Sequence, residues 1–347
     1  MSKLKIAAIG DQFIGTSVFD HALKAAFADG YELSGYDSDW PDVPFHGRSG
    51  PAGPEIAEYS GKPEDVVGYV RDADILLTHL GPISRSMIEQ APKLKFIGVT
   101  RGGPVNIDMA AAREKGIKVA NVPGRNATAV AEFTVGEILA CTRKITEGHM
   151  GMAAGTWRGD LYRYDRTGDE LCDLTIGLVG YSHVGQRVVR LLKPFSCKIL
   201  ICDPFMKLNV YDAADGVEQT DFDDLLKRSD VVSLHARLTP QTRNMLSKEK
   251  IALMKRGAIV INNARGELLD QKALVAALKS GALGGAALDA YEVEPPDVKD
   301  ELLKLPNVTL TPHIAGASRR VASFAAETVV ADLKRFLEGK PLTNECT

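Results

Sequence analysis

Thr175-Ile176-Gly177-Leu178-Val179-Gly180-Tyr181-Ser182-His183-Val184-Gly185-Gln186 reads as a buried strand, a tight turn and the opening of a helix. Its glycines follow a modified G-x-G-x-x-G pattern, in which Gly180 makes the turn and Gly185 lets the helix pack close to the strand. Ser182 holds the middle position, where glycine ordinarily lets a pyrophosphate approach; its hydroxyl can donate there instead. The next apolar run, 198–202, ends in Asp203, near the spacing of ~20 residues at which an acid binds an adenine ribose. A carboxylate there accepts from a 2′-hydroxyl and repels a 2′-phosphate, which favours NAD over NADP. Phe205 and Met206 offer no cation for a phosphate. The competing reading is that Asp203 only opens a turn before Pro204.

Outward from this segment the same rhythm continues. Further strands are expected over 231–235, 258–262, 285–289 and 308–311, in a βαβ series that starts at 175. Ahead of it lie strands at 5–9, 32–36, 75–78 and 96–100 and helices at 18–28, 63–70 and 84–90, the rhythm of a flavodoxin-like half. Residues 40–54, rich in Pro, Gly and Asp, read as a loop. Asn121-Val122-Pro123-Gly124-Arg125-Asn126 breaks the pattern before a long amphipathic run over 127–145 and a polar loop over 155–171. Residues 319–337 carry the period of a closing amphipathic helix. The fold class is α/β, with two doubly wound parallel-sheet domains, one flavodoxin-like and one a Rossmann NAD-binding domain.

At 347 residues the chain is longer than one ordinary domain. It has 45% hydrophobic and 25% charged residues and a net charge of −3, which gives no electrostatic reason to expect a nucleic acid or a membrane as partner. The opening, Met1-Ser2-Lys3-Leu4-Lys5-Ile6-Ala7-Ala8-Ile9-Gly10, reads as a strand rather than a signal peptide, and no apolar run is long enough to span a bilayer. Cys141, Cys172, Cys197, Cys202 and Cys346 show no CxxC and no Cys/His metal spacing, so no metal is expected. Their odd number favours free thiols in a reducing cytoplasm.

Three charged residues arrive in order, each where a strand gives way to a loop. Arg265 lies in Ile261-Asn262-Asn263-Ala264-Arg265-Gly266. Glu294 lies in Leu288-Asp289-Ala290-Tyr291-Glu292-Val293-Glu294-Pro295-Pro296, and His313 in Leu310-Thr311-Pro312-His313-Ile314-Ala315-Gly316. An arginine holds a carboxylate bidentately, a histidine passes a proton near neutral pH, and a glutamate beside it keeps it protonated. Their order and flanks closely resemble the D-isomer-specific 2-hydroxyacid dehydrogenases over nearly the whole chain. The resemblance implies hydride transfer between NAD and a small polar D-2-hydroxy acid or its 2-keto acid. His313 is then the acid/base, Glu294 its charge partner, and Arg265 the clamp on carboxylate and carbonyl. Glu292 competes for the acid's place, but Glu294, immediately before Pro295, matches the family position. Glutamate there argues against the formate-oxidising branch, which uses glutamine beside its histidine.

The resemblance also implies the surroundings. His183 and Val184 join Gly180, Ser182 and Gly185 around the cofactor, and Leu234-His235-Ala236-Arg237-Leu238-Thr239-Pro240-Gln241-Thr242-Arg243 passes beside the nicotinamide ribose. His235, Ala236 and Thr242 are the contacts there, with His235 fixing backbone; most relatives carry proline where Arg237 stands. Asp289 resembles the residue that binds the carboxamide, and Ala264, Arg265, His313, Ala315 and Gly316 complete the cofactor set. Val99-Thr100-Arg101-Gly102-Gly103-Pro104-Val105-Asn106-Ile107-Asp108 takes the place of a glycine-rich substrate loop, where Gly102 and Gly103 let backbone approach an anion. Arg101 either adds a cation there or pairs with Asp108 or the hinge. His79-Leu80-Gly81-Pro82 is a second candidate wall of the same cleft.

The implied division is 1–119 plus 315–347 for the substrate domain and 120–314 for the NAD domain, with hinge crossings near 118–121 and 314–318. A homodimer through 127–145 and the Trp157-bearing loop is also implied. That loop, Trp157-Arg158-Gly159-Asp160-Leu161-Tyr162-Arg163-Tyr164-Asp165-Arg166, either helps select a hydroxylated or anionic substrate tail or is a solvated interface loop. The end at Thr347 implies none of the regulatory domain that many phosphoglycerate dehydrogenases carry. Phosphite oxidation on the same scaffold and a non-enzymatic NAD-sensing corepressor are the competing functions.

Overall fold

The computed structural model describes residues 3–27, 29–40 and 52–346. Most of the expected loop over 40–54, residues 41–51, lies outside the described residues, as does Ala28 at the end of the first expected helix. The chain divides into two compact units, Met1–Arg125 with Ser318–Thr347, and Asn126–Ala317.

The first unit runs β1 (Leu4–Asp11), α1 (Thr16–Ala26), β2 (Tyr31–Ser38), α2 (Pro63–Val70), β3 (Ile75–Thr78), α3 (Arg85–Glu89), β4 (Phe96–Val99), α4 (Met109–Glu114) and β5 (Lys118–Ala120). The second runs α5 (Ala127–Thr142), α6 (Ile145–Ala153), β6 (Thr175–Val179), α7 (His183–Leu192), β7 (Lys198–Cys202), α8 (Val210–Ala214), β8 (Glu218–Gln219) and α9 (Phe222–Arg228). It continues with β9 (Val231–Leu234), α10 (Lys248–Ile251), β10 (Ala258–Asn262), α11 (Gln271–Ser280), β11 (Leu283–Leu288) and β12 (Val308–Leu310). The last helix, α12 (Arg319–Leu337), belongs to the first unit.

The first sheet has the order β2-β1-β3-β4-β5, with parallel pairings throughout. Successive residues of a strand face opposite sides, so Ala7 and Ile9 enter one apolar layer while Ile6 and Ala8 enter the other. The second layer is closed by α12. Its Ala322, Ala325, Ala326, Val329, Val330 and Leu333 recur at helical spacing and are buried with Phe19, Leu77 and Phe96. Ser318 caps this helix, its hydroxyl accepting from the Val321 amide at 3.2 Å. The second sheet, β12-β11-β10-β9-β6-β7-β8, winds one way from β6 through β7 to β8 and the other way from β9 to β12. Burial on both faces explains the near-continuous apolar runs of β6, β9 and β10.

Three expectations change. Residues 118–120 form strand β5 against β4 rather than a hinge, and the chain leaves the first unit between Arg125 and Asn126. It returns between Ala317 and Ser318. The long helix over 127–145 is two helices, broken at Lys144, whose φ of +58° is left-handed. The polar loop carries two short 3₁₀ turns, Gly159–Tyr162 and Leu171–Asp173.

Candidate active site

At the switch point of the seven-stranded sheet, between β6 and β9, the backbone leaves no room for side chains. Gly180 has φ +108°, and a Cβ on it would lie 2.8 Å from the His235 carbonyl carbon. A Cβ on Gly185 would lie 2.2 Å from the Gly180 oxygen, so α7 starts hard against the strand. Ser182 has φ −91°, outside the region that favours glycine, and its exposed side chain makes no cap bond to α7 among the described residues. The amides of the first turn, from His183 and Val184 onward, thus stand with a hydroxyl at a positive helix end, a ready cradle for a diphosphate.

Asp203 organises the backbone on both sides of it. One oxygen accepts from the Tyr181 amide at 2.7 Å, tying it to the glycine turn. The other accepts from the amides of Phe205 and Met206 at 2.8 and 2.9 Å, opening the turn after Pro204. The first oxygen, with one bond, keeps lone-pair capacity for a ribose hydroxyl. His235 donates its amide to the Val179 oxygen at 2.7 Å, and its Nε2 lies 3.0 Å from the Ser233 hydroxyl. Burial pushes its pKa down to about 4, so the ring is neutral, and the 235–236 backbone lies against Gly180. Ala236 is half-buried, and the Thr242 hydroxyl donates to the Arg237 carbonyl at 2.6 Å, closing the following turn. The glycine cradle, the helix end and the strand-end carboxylate fit a dinucleotide.

The loops after β10, β11 and β12 bring the charged trio together. Asn262 donates to the Arg265 carbonyl at 2.9 Å and accepts from the Ala264 amide at 3.2 Å. A Cβ on Gly266 would lie 1.9 Å from the Tyr291 carbonyl carbon, so this loop rests on the 291–292 backbone. Arg265 is exposed, and Nη1 donates to the Ala264 carbonyl at 2.7 Å, leaving most of the fork's donors for a carboxylate. His313 Nδ1 lies 3.0 and 2.8 Å from the two carboxylate oxygens of Glu294, which also accepts from the Tyr291 amide at 3.0 Å. Glu292 is exposed and takes no part in the pair.

The electrostatics of the two partners agree. The hydrogen bond that His313 donates to Glu294 raises the His313 pKa against the opposing effect of burial. Burial pushes Glu294 up, but His313 and the Tyr291 amide together hold it below the usual carboxylate range. Imidazolium and carboxylate therefore stabilise each other near neutral pH, and Nε2 is the ring nitrogen left for chemistry.

His313 has φ +56°, a conformation that non-glycine residues rarely adopt. The buried Asp289 holds it there. Its carboxylate accepts from the Thr311 hydroxyl at 2.6 Å, the Ile314 amide at 2.8 Å and the Ala315 amide at 2.7 Å, bracketing His313 on both sides. The resemblance placed Asp289 only against a carboxamide; its positioning of the histidine turn had no signal in the sequence. Tyr291 supports the same turn, its hydroxyl 2.9 Å from the Thr311 carbonyl. Ala315 is buried, and a Cβ on Gly316 would lie 2.6 Å from Asn126 Nδ2.

The expected substrate wall lies in the first unit. Leu80 is buried and its carbonyl accepts from the Ser60 amide at 2.9 Å, while the Gly81 amide donates to the Thr78 hydroxyl at 3.1 Å. His79 is also buried, with Nδ1 2.6 Å from Asp11 and Nε2 3.1 Å from Arg125 Nη2. Arg101 pairs with Glu58, carbonyl and carboxylate both, and not with Asp108. Asp108 instead caps α4 through the Ala111 amide at 2.8 Å. The Gly102 carbonyl accepts from Asn121 at 2.9 Å, and a Cβ on Gly103 would meet nothing within 4 Å, so this backbone is open. The cations of the loop over 157–166 are paired within the loop and with α6: Arg158 pairs with Glu147 and Asp160, Arg163 with Asp165, and Arg166 with Glu147 and Asp160. It exposes Trp157, Tyr162 and Tyr164 instead.

The family model described as D-isomer specific 2-hydroxyacid dehydrogenase, NAD binding domain, matches residues 135–315, the stretch that carries the cradle and the trio. The D-3-phosphoglycerate dehydrogenase of Methanocaldococcus jannaschii is 44% identical over 81% of this chain and 53% of its own, so the chain spans about half the length of that relative. The glyoxylate reductase of Thermofilum pendens is 40% identical over 81% of this chain and 84% of its own. Among solved structures, a D-2-hydroxyisocaproate dehydrogenase matches 99% of this chain and 100% of its own with a TM-score of 0.83 at 29% identity. The strand-end trio, the glycine cradle and these likenesses agree, and the chain belongs to the NAD-binding D-isomer specific 2-hydroxyacid dehydrogenase family.

Proposed function

We propose that this protein interconverts a small polar D-2-hydroxy acid and its 2-keto acid, with NAD as the hydride carrier. The observation that carries the reading is His313, held in a left-handed turn by Asp289 with Nδ1 on Glu294 and Nε2 left over. The Gly180–Gly185 cradle would hold NADH, with Asp203 placed to accept from its ribose, and the bound cofactor would supply the hydride. During reduction negative charge grows on the substrate's carbonyl oxygen, and the His313 Nε2–H donates its proton there. Glu294 stabilises the imidazolium before transfer. In the oxidative direction the neutral ring takes the proton back. Arg265 clamps the carboxylate and draws on the same carbonyl oxygen.

We assign the NAD-binding role to the second unit and the substrate role to the first, where His79, Leu80 and Gly81 form a wall and Arg101, Gly102 and Gly103 a loop with open backbone. We read the protein as a cytoplasmic homodimer without nucleic-acid or membrane partners. In support, α6 has no buried residue and exposes Ile145, Met150 and Met152, continuous in sequence with the aromatic loop after it. No helix among the described residues is long and apolar enough to cross a membrane.

The test is NADH absorbance with a panel of 2-keto acids, glyoxylate and hydroxypyruvate included, followed by chiral analysis of the product. Turnover giving the D-acid is expected. NADH binding without turnover on any keto acid would favour the sensing protein, and phosphite-dependent reduction of NAD would favour the other dehydrogenase chemistry. A monomeric mass by light scattering at micromolar concentration would sink the dimer.

A further inference from the structure

We propose that the five-stranded unit carries an oxyanion site of its own, built on the Arg125 guanidinium at the β1/β3 switch point and taking a carboxylate or phosphoryl group. The sheet order places the reversal of winding between β1 and β3, where doubly wound sheets open a ligand crevice at the carboxyl ends of the strands. Asp11 is the last residue of β1, and His79 directly follows β3. They meet there although 68 residues separate them.

The hydrogen bonds around this pair fix a direction. Asp11 accepts from the amides of Phe13 and Ile14 at 2.8 and 3.0 Å and from His79 Nδ1 at 2.6 Å. The proton on Nδ1 leaves Nε2 bare, and Nε2 accepts from Arg125 Nη2 at 3.1 Å. Burial lowers the His79 pKa more than Asp11 raises it, so the ring stays neutral and keeps this acceptor role. The chain Asp11–His79–Arg125 thus spends its one carboxylate on the histidine. Arg125 Nη1 is buried and has no acceptor among the described residues.

A cation held this way calls for an anion. Burial, and then repulsion from Arg101, lower the Arg125 pKa to about 10, which still leaves it charged at neutral pH. Arg101 is neutralised by Glu58, so among the described residues Arg125 is the cation of this cluster without a carboxylate of its own. Arg125 is only half-buried, and Phe13 flanks the site with its ring 5.6 Å from that of His79. A guanidinium that must hold Nη2 on a histidine can offer its Nη1 edge to a planar carboxylate or a phosphoryl oxygen. That oxyanion arrives free or as part of the organic acid; only the second source rests on the function proposed above.

The experiment is calorimetric titration of the full-length protein, saturated with NADH to fill the cofactor cradle, with inorganic phosphate and with malonate at constant ionic strength. Saturable binding is expected. Arg125→Gln keeps a donor for His79 but removes the charge, and should weaken binding about tenfold or more, the loss of one charge-assisted hydrogen bond. Glu58→Gln removes the carboxylate beside Arg101 and should tighten binding. Arg163→Gln, on the exposed loop, should bind as wild type. Competition of phosphate with the keto acid would identify the substrate as the source, and binding without any effect on turnover would identify a free anion. No saturable binding in the wild type, or an Arg125→Gln protein that binds equally well, overturns the proposal. If Arg125→Gln does not fold, an unchanged affinity in Glu58→Gln overturns it instead. Binding is read without turnover, so an inactive enzyme would count against the proposed reaction and not against this site.

Discussion

Asp289→Asn is the sharpest test of the active-site reading, because it changes one charge and almost no volume. The wild-type carboxylate accepts three hydrogen bonds, from the Thr311 hydroxyl and the Ile314 and Ala315 amides, while 1% exposed. An asparagine can keep the two bonds made to Oδ1. Its NH2 would then face the Ala315 amide at the 2.7 Å now spanned by an acceptor, donor against donor. Losing one hydrogen bond to a charged group costs about 1.5–3 kcal/mol, and the unsatisfied amide adds to that, so the second unit should lose about 2–4 kcal/mol. The left-handed His313 holds ~1–2 kcal/mol of conformational cost that the anchor now offsets. The turn should therefore relax, and kcat should fall by about a hundredfold, within the range attributed to a positioned acid. Denaturant unfolding measures the first effect, and NADH oxidation with a keto acid measures the second. NADH affinity by fluorescence separates the roles: loss of NADH binding with kcat preserved would make Asp289 a carboxamide contact and refute its place as the anchor of the histidine.

His313→Ala should lower kcat by about 10²–10⁴-fold with little change in NADH binding, since the ring lies on the proton path and not in the diphosphate cradle; more than a tenth of wild-type kcat would contradict the assignment. Glu294→Gln should move the alkaline limb of kcat/KM for keto-acid reduction to lower pH. Reduction needs the imidazolium, Glu294 raises the pKa of His313, and removing its charge lets the proton leave at lower pH; an unmoved limb would break the pairing. Asp203→Ala should narrow the preference for NAD over NADP, read as the ratio of kcat/KM values, and should also loosen the glycine turn held through Tyr181; a wild type that prefers NADP would overturn the reading of this strand end.

Strands buried on both faces announce themselves as unbroken apolar runs, which is why β3, β6, β7 and β10 were legible to the residue. Helix α12 was equally clear, because its apolar positions repeat with the helical period over five turns. Strand β5 was not: it has three residues and opens on the exposed Lys118. Strand β8 has two residues, both exposed. The break at Lys144 left no mark because it depends on a left-handed backbone that no glycine signals. At the site, flanking motifs single out Arg265, Glu294 and His313, and the structure brings His313 onto Glu294. The Asp11–His79–Arg125 chain joins residues 68 and 46 positions apart, a contact that arises only when the sheet order is set. Likewise the pairing of Arg158 and Arg166 with Glu147, which lies outside their loop, has no signal in the loop's own residues.

The return of α12 to the first unit sets an order on how the protein is made. The strands β1 and β3 leave the ribosome before the second unit, yet one side of their sheet is lined by Ala325, Ala326, Val329 and Leu333, which are synthesised after it. The second unit is one continuous stretch, Asn126–Ala317, and can close its core before those residues exist. Vectorial synthesis therefore completes the later unit first, and the earlier one waits with Ile6, Ala8 and Phe96 uncovered. During that wait the nascent sheet is the part of the chain that a chaperone would find and a protease would cut.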